Sequence, residues 1–226
     1  MTQQKVLAAI TIGQAPRTDI TADILPLLPE HVMLREYGAL DDFTAEEVEA
    51  RVTFPEGDEV LVSRMRDGRQ VKFTEGFITP LVQEKIRQAE DEGADAIVLF
   101  CTGVFPRFEH RVLLLEPQPL LHSVAQKLAD GKKVGLIVPM PDQVAQARRF
   151  WNESGVDVSV TSASPYLAFE KVREAASFLK GQDLGFICTD CMGYSMEMKH
   201  AIEEETGLPV ILPRTLVIRI VNEIFA

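Results

Sequence analysis

The chain has 226 residues, 46% of them hydrophobic, and carries 23 Lys and Arg against 34 Asp and Glu, for a formal charge of −11. That acidic balance argues against nucleic acid as a partner, because phosphates reward a basic surface. No apolar run approaches the ~20 residues needed to cross a bilayer, the start at Met1–Lys5 lacks a signal-peptide layout, and three cysteines make no disulfide framework. The expectation is a cytoplasmic protein with reduced thiols, no membrane partner, and room for one large domain or two small ones.

Lys5-Val6-Leu7-Ala8-Ala9-Ile10-Thr11-Ile12-Gly13 is an apolar run with a polar start and a turn residue at its end. That pattern predicts a parallel strand covered on both faces. The loop Gly13-Gln14-Ala15-Pro16-Arg17-Thr18-Asp19 follows it. There Arg17 is suited to grip a carboxylate in bidentate fashion, and Thr18 or Asp19 to cap a helix over 20–28. Residues from about 36 to 80 read as an insertion. Thr44-Ala45-Glu46-Glu47 is a capping box, and Arg66-Asp67-Gly68 is a hairpin turn between Glu59–Met65 and Arg69–Thr74. Such a piece fits a lid or a homodimer contact, and equally a decorative surface hairpin. A helix around 84–89 then leads through Gly93 and Asp95 to the strand Ala96–Phe100, which ends on Cys101-Thr102-Gly103. A strand at Val112–Pro117 and a helix over 119–129 close the first half.

The second half repeats this order. Lys133–Pro139 matches the opening strand, and Glu170–Ala175 matches the helix at 84–89. Gly181 and Asp183 lead to Leu184–Thr189, which runs into Asp190-Cys191-Met192-Gly193 before a helix from near Ser195. A strand at Val210–Pro213 and a helix over 215–225 follow. Three matched units in one order, with strands and helices alternating, predict two parallel-sheet α/β subdomains related by a pseudo-twofold axis. The first is 1–117 with 214–226, carrying the helix-plus-hairpin insertion, and the second is 118–213. Ligands of such sheets bind at the carboxyl ends of the strands, which here would set Cys101 and Cys191 on opposite walls of one cleft.

Two thiols flanking one carbon suit proton transfer without a metal or organic cofactor. Cys101 is read either as an acid/base or nucleophilic thiol or as a small buried hydrophobe. The hydroxyl of Thr102 and the amide of Gly103 favour the first, since both can hold a carboxylate. Cys191 lies past its apolar run, beside Gly193 and ahead of a helix start whose amides stabilise a thiolate, while an inward Asp190 would oppose it. Cys188 completes a literal C-x-x-C but sits inside the strand, which reads as core; neither a redox pair nor a zinc site is supported. The loop Pro139-Met140-Pro141-Asp142-Gln143 offers no cation, so ligand charge would be read from the first half. Arg214 is a second candidate anchor or a surface residue. His31, His110, His122 and His200 share no metal-ligand spacing, and no metal site is expected. There is no G-x-G-x-x-G, no G-x-x-x-x-G-K-[ST] and no G-x-S-x-G.

Four segments carry a resemblance: Thr11-Ile12-Gly13-Gln14-Ala15-Pro16-Arg17, Leu115-Glu116-Pro117, Val134-Gly135-Leu136-Ile137-Val138-Pro139 and Asp190-Cys191-Met192-Gly193-Tyr194. Through them the chain resembles the AroM family, within the aspartate/glutamate/hydantoin racemase superfamily. The resemblance implies Cys101 and Cys191 as a catalytic pair acting on a small carboxylate without a cofactor. The candidate contacts are Gly13, Gln14, Arg17, Thr102, Gly103, Pro139, Met192, Gly193 and Tyr194. Two departures stand out: two-thiol racemases usually place Asn-Thr after the first cysteine and Thr-His after the second, where this chain has Thr102 and Met192-Gly193. A cysteine-dependent isomerase or decarboxylase of dicarboxylates, and a non-catalytic carboxylate-binding or regulatory protein, therefore stand beside the racemase reading.

Overall fold

The structure is a computed structural model and describes residues 4–226. The chain divides into two units, one running to Pro117 and resuming over Val217–Ala226, the other Gln118–Leu216.

In the first unit, β1 (Lys5–Thr11) pairs in parallel with both β2 (Val32–Gly38) and β5 (Ala96–Phe100), and β5 pairs with β6 (Leu113–Leu115). The sheet order is β2-β1-β5-β6. Helix α3 (Glu75–Asp91) buries Ile78, Val82, Ile86 and Ala89, one stripe at helical spacing, against Ala8, Ile10, Ile97 and Leu99 of the central strands. Each such aliphatic side chain contributes about 1.5–3 kcal/mol on leaving water. Helix α1 (Thr18–Ile24) gives way to a 3-10 turn at Leu25–Leu27, where Pro26 cannot donate the next helical hydrogen bond. The helix expected over 20–28 is therefore shorter. The expected side-chain cap is also absent: Arg17 occupies the N-cap position, and Asp19 is turned to other work.

Between β2 and α3 lie helix α2 (Ala45–Arg51) and the antiparallel hairpin of β3 (Val60–Arg64) and β4 (Gln70–Thr74). The capping box forms as read: the Glu47 amide donates to Thr44 Oγ1 at 3.1 Å, and the Thr44 amide to Glu47 Oε2 at 2.8 Å. Gly68 takes the positive φ of 92° that the hairpin turn demands. The insertion ends at Thr74, earlier than residue 80, because Thr74 caps α3 through the Phe77 amide. The hairpin is no surface ornament. The Gln14 amide donates to the Arg64 carbonyl at 3.2 Å, and Leu61 packs so close to Gly103 that a Cβ there would lie 2.7 Å from its Cδ2. It thus lies over the loops that follow β1 and β5.

The second unit holds α4 (Pro117–Ala129), β7 (Lys133–Val138), α5 (Gln143–Glu153), β8 (Val158–Ser162), α6 (Glu170–Leu179), β9 (Leu184–Thr189), α7 (Met196–Thr206) and β10 (Val210–Ile211). Helix α8 (Pro213–Phe225) begins here and ends in the first unit. Its sheet is all parallel, in the order β8-β7-β9-β10. Counted from its own first strand, each sheet therefore runs 2-1-3-4. The two parallel-sheet α/β subdomains expected from the internal repeat are present, each with the same strand order. In each, the order reverses between first and third strand, and the crevice beyond the carboxyl ends at that point is where open α/β sheets bind ligands.

Candidate active site

Both cysteines stand at that reversal. Cys101 follows β5 directly and Cys191 follows β9 by two residues; each is the loop cysteine of its unit's third strand. Their settings match. The Gly103 amide donates to Cys101 Sγ at 3.2 Å, and the Gly193 amide to Cys191 Sγ at 3.3 Å. Exposure is nearly equal too, at 8% and 9%. Hydrogen bonds aimed at a sulfur favour its charged form. The glycines of these Cys-x-Gly turns are required by crowding: a Cβ at Gly193 would lie 2.6 Å from the Tyr166 hydroxyl, and one at Gly103 would press on Leu61.

Around Cys191 the second unit adds further groups. The Tyr166 hydroxyl lies 3.5 Å from the sulfur. Asp190 accepts through Oδ2 from Trp151 Nε1 at 2.8 Å. Trp151 in turn stacks on His122, ring centroids 4.3 Å apart, and burial holds that imidazole down to about 4. Cys188 is sealed inside β9, and burial, with the Asp190 charge added, pushes its thiol well up. It is core, as its place in the strand implied. All three cysteines are free thiols.

The structure gives several of the expected ligand contacts partners within the chain. Arg17 is 3% exposed, with Nε and Nη2 bound to the two carboxylate oxygens of Asp19 at 2.9 and 2.8 Å and Nη1 on Thr11 Oγ1 at 3.0 Å. Its fork is occupied by this chain's own carboxylate. Gln14 donates to the carbonyls of Leu40 and Phe43 and accepts from the Arg66 amide, so it braces the insertion. Tyr194 is fully buried and gives its hydroxyl to the Ala163 carbonyl at 2.6 Å; burial pushes its phenol well up. The Met192 side chain is buried, and its carbonyl accepts from Arg214 Nε at 2.8 Å. Arg214 itself is fully buried, which rules out the surface role.

The remaining candidates keep their places at the strand ends. Gly13 sits beneath β3, so close to the Arg64 carbonyl and Ser63 Oγ that no Cβ fits. Thr102 and Gly103 are half-buried beside Cys101, and Pro139 is buried at the end of β7. Glu36, absent from the sequence reading, accepts the Arg17 amide at 2.8 Å; burial raises its carboxyl against the pull of Arg17. Tyr166 and Trp151 were likewise not singled out. Among the described residues, no group of three or more His, Cys, Asp or Glu is placed to hold a metal, and no helix is long and apolar enough to cross a membrane.

Several solved structures share this fold. Allantoin racemase from Klebsiella pneumoniae is 15% identical at a TM-score of 0.65, covering 98% of this chain and 87% of that one. Picrophilus torridus aspartate racemase is 15% identical at 0.64, covering 98% and 94%. The maleate isomerase Iso from Pseudomonas putida S16 is 11% identical at 0.66, covering 98% and 93%. Identities this low speak to the fold alone. No curated protein matches the chain in sequence. The model of the AroM protein family, however, matches residues 7–225, nearly the whole length. With that match and the aspartate/glutamate-racemase-like fold of both halves, the chain belongs to the AroM family.

Proposed function

We propose that this protein is a cofactor-independent racemase or isomerase of a small carboxylate, with Cys101 and Cys191 as its acid/base pair. The observation that carries this reading is the repeated Cys-x-Gly turn: the same thiol, with an amide on its sulfur, at the carboxyl end of the third strand in both sheets. One thiolate takes the proton α to the carboxylate, and the other thiol delivers a proton to the opposite face. Positioned acid–base groups of this kind contribute about 10²–10⁴-fold, and the rest must come from donors to the enolate-like intermediate. The Thr102 hydroxyl and the amides of the loops after β1, β5 and β9 are the groups of this chain for that task. With Arg17 neutralised by Asp19, carboxylate recognition rests on such neutral donors more than on a free guanidinium. Racemases, a maleate isomerase and an arylmalonate decarboxylase on the same fold support proton chemistry in general and leave the substrate to experiment.

The test is hydrogen exchange in deuterated water, with a panel of small amino, hydroxy and unsaturated dicarboxylates and no added metal or pyridoxal phosphate. Exchange at the α-carbon is expected. Cys191→Ser should abolish it, whereas Cys101→Ser should stop racemisation and retain one-sided exchange. A bifunctional thiol reagent should also join Cys101 to Cys191 within one chain. No exchange across the panel, with ligand binding that survives both cysteine substitutions, would establish a non-catalytic binding protein instead.

A further inference from the structure

The segment joining β8 to α6 is held against the Cys191 turn from both directions. From the turn side, the Tyr194 hydroxyl donates to the Ala163 carbonyl at 2.6 Å. From the segment side, the Tyr166 hydroxyl reaches Cys191 Sγ at 3.5 Å, within hydrogen-bond range for sulfur. The Tyr166 backbone is fixed as well, its amide donating to Ser164 Oγ at 3.2 Å. Pro165 lies against Gly193, where a Cβ would meet Pro165 Cγ at 2.7 Å and the Tyr166 hydroxyl at 2.6 Å. A side chain at position 193 would therefore displace the phenol from the sulfur. On Cys101 the Gly103 amide donates to the sulfur at 3.2 Å.

We propose that Tyr166 is a further catalytic residue, its phenol donating to the Cys191 sulfur and holding that sulfur as the thiolate. This rests on the reading of Cys191 as a working acid/base. A phenol donates one hydrogen bond and accepts others, so it serves the sulfur in both protonation states. When Cys191 is a thiolate, the Tyr166 O–H points at it and the charge is shared between two donors, the phenol and the Gly193 amide. When the sulfur has taken a proton, its S–H turns toward the phenol oxygen and the phenol hydrogen rotates away. The proton taken from substrate stays on sulfur, and Tyr166 keeps its own throughout. Other titratable groups near Cys191 are Cys188 and Asp190 on the same stretch, Tyr194 beyond it, and Arg214 of α8, which binds the Met192 carbonyl. Asp190 opposes a thiolate and Arg214 favours it, but neither is altered by substitution at Tyr166.

The decisive measurement is the pH dependence of iodoacetamide alkylation, followed separately at each cysteine by peptide mass spectrometry. Tyr166→Phe removes only the hydroxyl. The Cys191 midpoint should move up by about 1 pH unit, the size of one lost hydrogen bond to a charged group, while that of Cys101 stays put. Gly193→Ala, which pushes the phenol aside without removing it, should shift Cys191 in the same direction. Thermal melting checks that each variant is folded, and either folded variant suffices to decide. A Cys191 midpoint unchanged in a folded variant, or an equal shift at both cysteines, would overturn the role of Tyr166. Because alkylation needs no substrate, a selective shift with no α-exchange in any variant would uphold the bond from the Tyr166 phenol to the sulfur while refuting the racemase reading, and with it the catalytic role of that bond.

Discussion

Gly193 gives its amide hydrogen to the sulfur of Cys191, two residues before it, at 3.3 Å. Gly103 does the same for Cys101 at 3.2 Å, in a loop that shares no sequence with the other beyond the cysteine, the spacing and the glycine. A turn that aims one backbone donor at a sulfur costs little to build from a strand end. It supplies part of what a neighbouring histidine supplies elsewhere, which bears on the absence of Thr-His after Cys191.

Alkylation near neutral pH should therefore divide the cysteines sharply. Cys191 and Cys101 should label, in that order, because each carries a donor on its sulfur and Cys191 has the phenol besides. Cys188, fully buried with its thiol pushed up, should label only after denaturant is added. Mass spectrometry of the tryptic peptides over a time course separates the three. Early labelling of Cys188 in the native protein would contradict the placement of β9.

Arg17→Ala should act on stability before it acts on any ligand. The guanidinium is 3% exposed and spans both oxygens of Asp19 while reaching Thr11 at the end of β1. Removing the guanidinium takes the bidentate partner from the partly buried Asp19 and leaves it the longer pair with Arg64 at 3.8 Å, a loss of about 1–3 kcal/mol. Urea unfolding should show it as a lower midpoint. Arg17→Lys should recover little, since one ammonium cannot replace a fork bound along two edges. A variant as stable as the parent would return Arg17 to the role of ligand anchor.

Gly13→Ala should lift the hairpin from the loop beneath it. The added methyl meets the Arg64 carbonyl, a backbone atom in a paired strand, and cannot be absorbed by a rotamer change. A cost of about 1–3 kcal/mol is expected, as for other overpacked sites. Limited trypsin digestion provides the local readout: cleavage at Arg66 or Arg69 should become faster in the variant than in the parent.

His122 should make the second unit acid-sensitive. Burial holds its imidazole down to about 4 in the folded chain, below the ordinary value near 6.5 of an unfolded one. Between those values the unfolded state binds the proton first. The contribution of the neutral ring is thus complete above pH 6.5 and is lost as pH falls toward 4, by up to about 3 kcal/mol. His122→Gln removes the titration. The stability difference between parent and variant should shrink over that window; a constant difference would show that His122 does not drive acid unfolding.

The strands that bear the cysteines were legible because a buried parallel strand is an unbroken apolar run, and Ala96–Phe100 and Leu184–Ile187 are such runs. The capping box at Thr44 and the turn at Gly68 were legible because each needs particular residues at fixed spacing. Strands β2 and β8 were not: they lie at sheet edges, and Arg35 and Glu36 in one and Ser159 and Thr161 in the other dilute the pattern. The strand ends could be placed from the chain alone, but not which polar atoms were already engaged there. Asp19 stands two residues from Arg17, close enough in sequence to look like a cap, yet it closes on the guanidinium. Tyr166 lies far from Cys191 in sequence and meets it only through the strand order β8-β7-β9. Arg214 read as either an anchor or a surface residue, and the chain could not show that it is buried with Nε on the Met192 carbonyl.

The hairpin that covers the loop after β1 also determines where this scaffold can change. Residues 13–17 are interlocked with Arg64 and Arg66 and with the carboxylates of Asp19, Glu36 and Asp41, so a new side chain there disturbs several partners at once. In the corresponding loop after β7, Pro141 and Asp142 are exposed. Random libraries at 140–142 should yield folded proteins far more often than libraries at 13–17. Ligand preference among relatives should accordingly drift on the exposed side, with the covered side acting as the inherited frame.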